Sequence, residues 1–408
     1  MPLPTIIIMA LILVLSFGPP AFSQTCEKDI KAMRQSQRGV HERLSDLESV
    51  NVGGAIRMNY VYEDWDEENK KKGGEFRFEL FRLSVDGCIS DLIISGEYRW
   101  YSYMEAIHHG YIAYDFSEHV QVQTGVVQAP FGILPYASHS YWFGSPFYLG
   151  LEDDYDMGVK TIINYPRFNL QAAFFKNDEW GDSTRLARYS FDVVEDLGQN
   201  NQEVNQGNLR FVYSFLLSEK SEAEVGASLQ GGQLYNSVTE DMGGRYAAAV
   251  HANIHAGAWN LMLEAIRYEY DPENPQGVSD DYIVLGGYMD SFPAASRAWV
   301  YVANLAYSVP VSWGPVSKLT FYNDYSRVVK DERDGGQDFF EDSELNVTGC
   351  LVKAGPVYVY VDFYMGRNMI WLGPRHNGAL AEGARDGDGS LYDGEMHTRF
   401  NVNIGYYF

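Results

Sequence analysis

The chain has 408 residues, with 31 basic and 55 acidic side chains and a formal charge of −24 at pH 7. A negative surplus of that size excludes a nucleic-acid-binding role, which needs clustered Lys and Arg to meet phosphates. Aromatic residues make up 15%, including 30 tyrosines, yet no apolar run after the first residues is long enough to span a bilayer as a helix, a combination that suits a membrane β-barrel.

Ile6 to Phe17 form a short apolar core, followed by Gly18-Pro19-Pro20 and Ala21-Phe22-Ser23. Small residues stand at the two positions that signal peptidase reads, so residues 1–23 are expected to be a signal peptide although no Lys or Arg precedes the core. Residues 24–50 place Ile30, Met33, Gln37, Val40, Leu44 and Leu47 on alternating three- and four-residue steps, the seam of a coiled-coil helix. Three heptads are marginal alone, so this periplasmic helix is expected to associate only where barrels already form an oligomer. Cys26, Cys88 and Cys350 are too few and too scattered for a disulfide framework or a metal site.

From residue 51 the apolar period changes to two. Leu92, Ile94, Tyr98 and Trp100 oppose Ser95, Glu97 and Arg99; Leu209, Phe211, Tyr213 and Phe215 oppose Arg210 and Ser214. Strands are expected at about 51–62, 75–86, 90–103, 109–116, 119–128, 154–165, 168–177, 207–217, 222–232, 245–256, 258–270, 297–309, 317–328, 344–354, 356–367 and 395–408. In the second, the apolar phase slips from Phe76, Phe78 and Leu80 to Phe81, Leu83 and Val85, which predicts a bulge. Residues 282–289 also read as a strand, but short periplasmic turns must alternate with long outer loops, so 271–296 is assigned to one outer loop. The expected fold is all-β: a sixteen-stranded antiparallel transmembrane β-barrel over 51–408, in the outer membrane of a Gram-negative bacterium. Its last strand, ending at Phe408, has the pattern expected to engage the barrel-assembly machinery, and lipid and lipopolysaccharide would surround it.

At Gly125-Val-Val-Gln-Ala-Pro-Phe-Gly132, then an aromatic loop, then Asp156-Met-Gly-Val-Lys160, the chain resembles the phosphate-selective porin O/P family. The resemblance implies a homotrimer of water-filled channels, each narrowed by an inward-folded third loop. Tyr136, His139, Tyr141, Trp142 and Phe143 would belong to that constriction, packing the loop against the wall or stacking on sugars.

The expected lumen charges depart from an anion ladder. Arg99, Lys160, Arg210, Lys318 and Arg399 stand beside Glu97, Asp115, Glu224, Glu264, Asp324 and Asp362. The eight outer loops together carry about −23, which would concentrate cations at the mouth within a Debye length. Weak cation preference, or little selectivity among small solutes and ions, is therefore expected. Asp386, Asp388, Ser390 and Asp393 resemble a calcium loop, but the sharp-turn glycine is missing and His397 stands where the closing glutamate belongs. No metal or other cofactor is assigned. His251 and His255 share one inward strand face with Asn253, as polar wall or as a solute contact. No Gly-x-Ser-x-Gly, His-Glu-x-x-His or phosphate-cradling loop is present, so an enzyme is not expected. The competing function is a structural or adhesive surface barrel.

Overall fold

A computed structural model describes residues 49–331, 341–374 and 394–408. The signal segment 1–23, Cys26 and the acidic stretch 386–393 lie outside the described residues, as does the helical segment 24–50 up to residue 48. Ser49 and Val50, assigned to that helix by their spacing, instead open the first strand.

The strands in chain order are β1 (Ser49–Glu63), β2 (Glu75–Ile89), β3 (Leu92–Tyr101), β4 (Glu105–Ser117), β5 (Val120–Gln128), β6 (Tyr155–Tyr165), β7 (Phe168–Asp178), β8 (Asp192–Val193), β9 (Asn201–Ser218) and β10 (Ser221–Asn236). Then follow β11 (Met242–Ala256), β12 (Trp259–Asp271), β13 (Tyr282–Gly287), β14 (Asp290–Ala295), β15 (Arg297–Trp313), β16 (Val316–Lys330), β17 (Ser343–Ala354), β18 (Val357–Arg367) and β19 (His397–Tyr407). All except β8, β13 and β14 form one closed antiparallel barrel of sixteen strands. Two short helices, α1 (Glu67–Lys72) and α2 (Ser145–Tyr148), lie in the first and third long connections.

Closure leaves no strand edge unpaired. β1 pairs with β19 from Ala55 opposite Tyr407 to Glu63 opposite Arg399, and Phe408 continues the ladder through backbone bonds to Gly54 of 3.0 and 3.1 Å. Glycine is required there, since a Cβ on Gly54 would lie 2.5 Å from the Arg82 carbonyl oxygen and 2.7 Å from the Phe408 ring.

One end of the barrel carries two-residue turns, such as Glu118-His119, Pro166-Arg167, Gly314-Pro315 and Gly355-Pro356, and the other end carries the long connections. Gly314 and Gly355 adopt φ of 59°, the left-handed conformation a tight hairpin demands. The bulge expected in β2 is present: Arg57 faces Leu80 and Met58 faces Phe78, so Glu79 is skipped and turned inward. Residues 282–287 do form a strand, but β13 pairs with β14 and β8 in a small sheet built from outer loops, outside the barrel wall.

Outward side chains form a continuous apolar band; Leu209, Phe211, Val250, Leu305 and Phe321 are all exposed. In water such a band would far exceed the patches soluble monomers tolerate; in lipid it is matched. Aromatic residues mark its rims. On β15 Trp299 stacks with Tyr301 near one rim, and Tyr307 meets Trp259 at 4.5 Å toward the other. With about 3.3 Å per residue and a tilt of about 40°, Trp299 and Tyr307 are about 20 Å apart along the barrel axis, close to an apolar band of about 25 Å.

Candidate functional site in the barrel lumen

The third loop, residues 129–154, leaves β5 and crosses the lumen, and the wall meets it with matched donors and acceptors. Lys160 of β6 donates to the Gln128 carbonyl at 3.0 Å where the loop begins. Arg210 of β9 donates to the Gly132 carbonyl at 2.6 Å, while the Ser228 hydroxyl of β10 accepts from the Gly132 amide at 3.0 Å. Asn304 of β15 donates to the Ala137 carbonyl at 2.5 Å.

Asp324 of β16 is the central anchor. Its carboxylate accepts from the His139 amide at 2.6 Å, the Ser140 amide at 2.8 Å and the Ser138 hydroxyl at 3.1 Å, and lies 2.8 Å from His139 Nδ1. Burial alone would lower the His139 pKa, but Asp324, with Asn260 on the other ring nitrogen at 2.6 Å, raises it above the ordinary value. Asp362 of β18 accepts from the Tyr141 amide at 3.4 Å, and the Tyr141 hydroxyl donates to Glu79 of β2. Ser145 of α2 closes the series on Ser326 of β16, 2.8 Å between hydroxyls.

The loop therefore has two halves. Tyr136, His139, Tyr141, Trp142 and Phe143 remain partly exposed, whereas Gly144 to Asp154 are buried. The buried half packs into a second core formed by outer loops. Phe147 meets Phe191 at 5.4 Å and Tyr189 at 6.0 Å, and Phe191 meets Phe292 at 5.7 Å and Trp371 at 5.9 Å. Residues of the third, fourth, sixth and eighth outer loops thus share one apolar interior with the upper wall.

Most inward charges read from the sequence hold structure in place. Lys160, Arg210, Asp324 and Asp362 anchor the third loop as described, and the buried Glu264 lies against Gly132. Glu97 and Arg99 pair at 2.6 Å, and Arg99 sits over the Tyr189 ring at 4.4 Å. Arg399 pairs with Glu63 at 3.3 Å and covers the Trp142 ring at 4.1 Å. Glu224, with Arg210, borders a cavity of about 590 Å³ beneath the third loop, and Asp115 borders one of about 510 Å³ beside the two-residue turns. Lys318 is exposed close to the two-residue turn Gly314-Pro315. His251 and His255 do not form one site: the former is buried with neither ring nitrogen bonded, the latter exposed with Nε2 3.4 Å from Asn260. Cys88 and Cys350 are unpaired.

The sequence reading passed over Arg57 and Arg82. Arg57 pairs with Glu79 at 2.8 Å and lies over Tyr141 at 5.3 Å; Arg82 pairs with Glu97 at 3.3 Å and lies over Tyr407 at 5.3 Å. Arg82 stands directly across from Arg99. Both side chains keep some exposure, and Arg57 faces Tyr141 of the third loop. The signal for Arg82 was the phase slip in β2, which reverses the inward face after Glu79; that for Arg57 was the period-two alternation of β1 itself.

A separate group gathers at the outer end of β6. Asp154, Asp156 and Asp192 of β8 each place a carboxylate oxygen within 4.8 Å of the other two, and all three are buried. Burial, with Asp192 as neighbour, raises the Asp154 pKa well above the ordinary carboxylate value. Burial pushes Asp192 up to about 7 despite the opposing guanidinium of Arg188.

No protein-family model and no curated protein sequence matches the chain. Its fold is that of the outer-membrane porins of known structure. It is similar to OmpT, an outer membrane protein of Vibrio cholerae in trimer form, at 15% identity and a TM-score of 0.56, over 88% of this chain and 99% of that one. The outer membrane channel DcaP of Acinetobacter baumannii aligns at 13% identity and a TM-score of 0.56, over 88% and 97%. An anion-selective porin from Comamonas acidovorans aligns at 12% identity and a TM-score of 0.50, over 88% and 99%.

Proposed function

We propose that the protein is an outer-membrane porin, a water-filled channel through which small hydrophilic solutes or ions diffuse passively past an inward-folded third loop. The observation that carries this reading is the bonding of that loop across the lumen to β2, β9, β10, β12, β15, β16 and β18. Such anchoring fixes the cross-section of the passage instead of leaving the loop free in solvent. Tyr136 and Tyr141 on the loop and Arg57 and Arg82 on the wall are the proposed edges of the narrowest part.

In this reading residues 1–23 direct export, 24–48 form a periplasmic helix, and the chain from Ser49 onward forms a barrel that assembles as a homotrimer in lipid and lipopolysaccharide, inserted through its C-terminal strand. No catalytic role is proposed. Arginines from β1, β2, β3 and β19 are each balanced by Glu63, Glu79 or Glu97 nearby, which supports modest charge selectivity and not a phosphate-specific ladder.

A second reading, a structural or adhesive surface barrel, draws on the packed core of the outer loops, because a working channel needs a continuous wet path and an adhesin does not. Planar-bilayer recording of the refolded, full-length protein separates the two. Stepwise conductance in multiples of three supports the trimeric porin; a correctly folded, electrically silent barrel would exclude it.

A further inference from the structure

The three aspartates at the outer end of β6 come from different parts of the chain. Asp154 ends the third loop, Asp156 points inward from β6, and Asp192 lies on β8 in the fourth loop, where it faces Gly286 of β13. Folding therefore brings three carboxylates into a buried space with oxygens no more than 4.8 Å apart.

Their surroundings add negative charge. Asp178 and Glu179 share Arg188 with Asp192, at 3.4, 3.6 and 2.8 Å. Glu203 is paired with Arg245. Six carboxylates thus meet two guanidiniums, and both guanidiniums are already engaged. Within the cluster one oxygen of Asp154 and one of Asp156 have no hydrogen-bond partner. Glu179, also buried, lies beside Asp192 and meets Arg188 only at 3.6 Å, beyond hydrogen-bond distance. Buried, unmatched carboxylate oxygens are costly unless a cation meets them.

We propose that Asp154, Asp156 and Asp192 bind a divalent cation, calcium in preference to magnesium, which pins the fourth loop to the end of the third loop and to the barrel wall. Three carboxylates, two on loop segments and one on the wall, offer several hard oxygen donors, and calcium accepts irregular cages of six to eight oxygens at about 2.3–2.6 Å. Magnesium demands near-ideal octahedral geometry and keeps several waters, which a buried pocket of this kind does not supply. The inference is independent of what the barrel conducts, since it concerns how the outer loops are held.

The test is calorimetric titration of calcium chloride into full-length protein stripped with chelator in detergent micelles. Parent protein should bind one calcium per chain saturably. D154N and D192N should each weaken binding at least tenfold, while D115N, near the opposite end of the barrel, should bind as the parent does. Absence of saturable binding up to about 10 mM, beyond the weakest extracellular calcium modules, would overturn the proposal, as would unchanged binding in D154N and D192N. Should either variant fail to fold, limited proteolysis of the parent decides: calcium should slow cleavage in the fourth loop by at least tenfold relative to chelator, and equal cleavage rates would sink the idea.

Discussion

Replacing Asp324 with alanine tests the anchoring of the third loop most directly. The carboxylate accepts two backbone amides and one hydroxyl and contacts the His139 ring, all from three consecutive loop residues. Its removal strands the His139 amide, at a cost of about 1–3 kcal/mol for an unsatisfied donor, and leaves the Ser140 amide with the Ser138 hydroxyl alone, at 3.1 Å. Breaking a buried hydrogen-bonded charge pair costs about 3–5 kcal/mol as a whole, and about 4 kcal/mol is a fair central value here. That is roughly a thousandfold change in the ratio of docked to undocked loop. The sixteen-strand ladder does not depend on Asp324, so circular dichroism should show an intact barrel. Single-channel recording should then show a larger conductance, with added noise from a loop that leaves the wall. Conductance identical to the parent, in a folded D324A trimer, would refute the idea that this contact sets the passage.

Three further outcomes follow from neighbouring contacts. Because the His139 pKa is raised above 6.5 in the folded state, its bond to Asp324 contributes fully below 6.5 and is lost as pH rises through the elevated value; conductance should climb across that window in the parent and stay flat in H139N, and a pH step preserved in H139N would assign it elsewhere. Arg82→Gln removes one positive charge beside the proposed narrow zone. At about 8 Å in water a unit charge is worth roughly 0.5 kcal/mol, with opposite sign for a cation and an anion, so the cation-to-anion permeability ratio from reversal potentials should rise by up to roughly sixfold, and no change would place the passage away from β2. Phe191→Ala empties a buried position that touches Phe147, Tyr148, Tyr288, Phe292 and Trp371. A loss of about 3–5 kcal/mol should loosen the fourth, sixth and eighth loops together, read as faster proteolysis at all three; cleavage accelerating in the fourth loop alone would show that they do not share a core.

The barrel strands were legible because lipid outside and water inside impose opposite demands on alternate residues, and nothing in β3, β6 or β9 blurs that alternation. Parity settled residues 282–287 as loop, and they proved to be a strand all the same, since period two reports extended backbone and not membership of the barrel. The lumen was less readable. Asp324 and Asp362 occupy inward positions, as their phase requires, but phase is silent on whether an inward carboxylate faces water or a loop amide. That depends on the path of residues 129–154, which no periodicity encodes. Arg82 escaped notice because a single bulged residue, Glu79, reverses the inward face of β2, whereas Arg57 stands in β1 between Ile56 and Met58, where plain alternation could have found it.

The same distinction changes what the acidic loops do. Counted along the chain, their charge places a cloud of carboxylates at the mouth. In the folded molecule Glu152, Asp153, Asp154, Glu179 and Asp192 are buried. Glu152 accepts from the Ala137 amide, Asp153 accepts from the Tyr189 hydroxyl at 2.5 Å, and Asp192 is bonded to Arg188 at 2.8 Å. Carboxylates committed to such contacts, or shared with a cation, contribute little to the field a solute meets on approach. What remains near the proposed narrow zone to bias permeation is the partly exposed set of Arg57, Arg82 and Glu79. The mouth should therefore discriminate between ions less than its formal charge implies, and removing an exposed loop acid should shift the reversal potential less than removing Arg82.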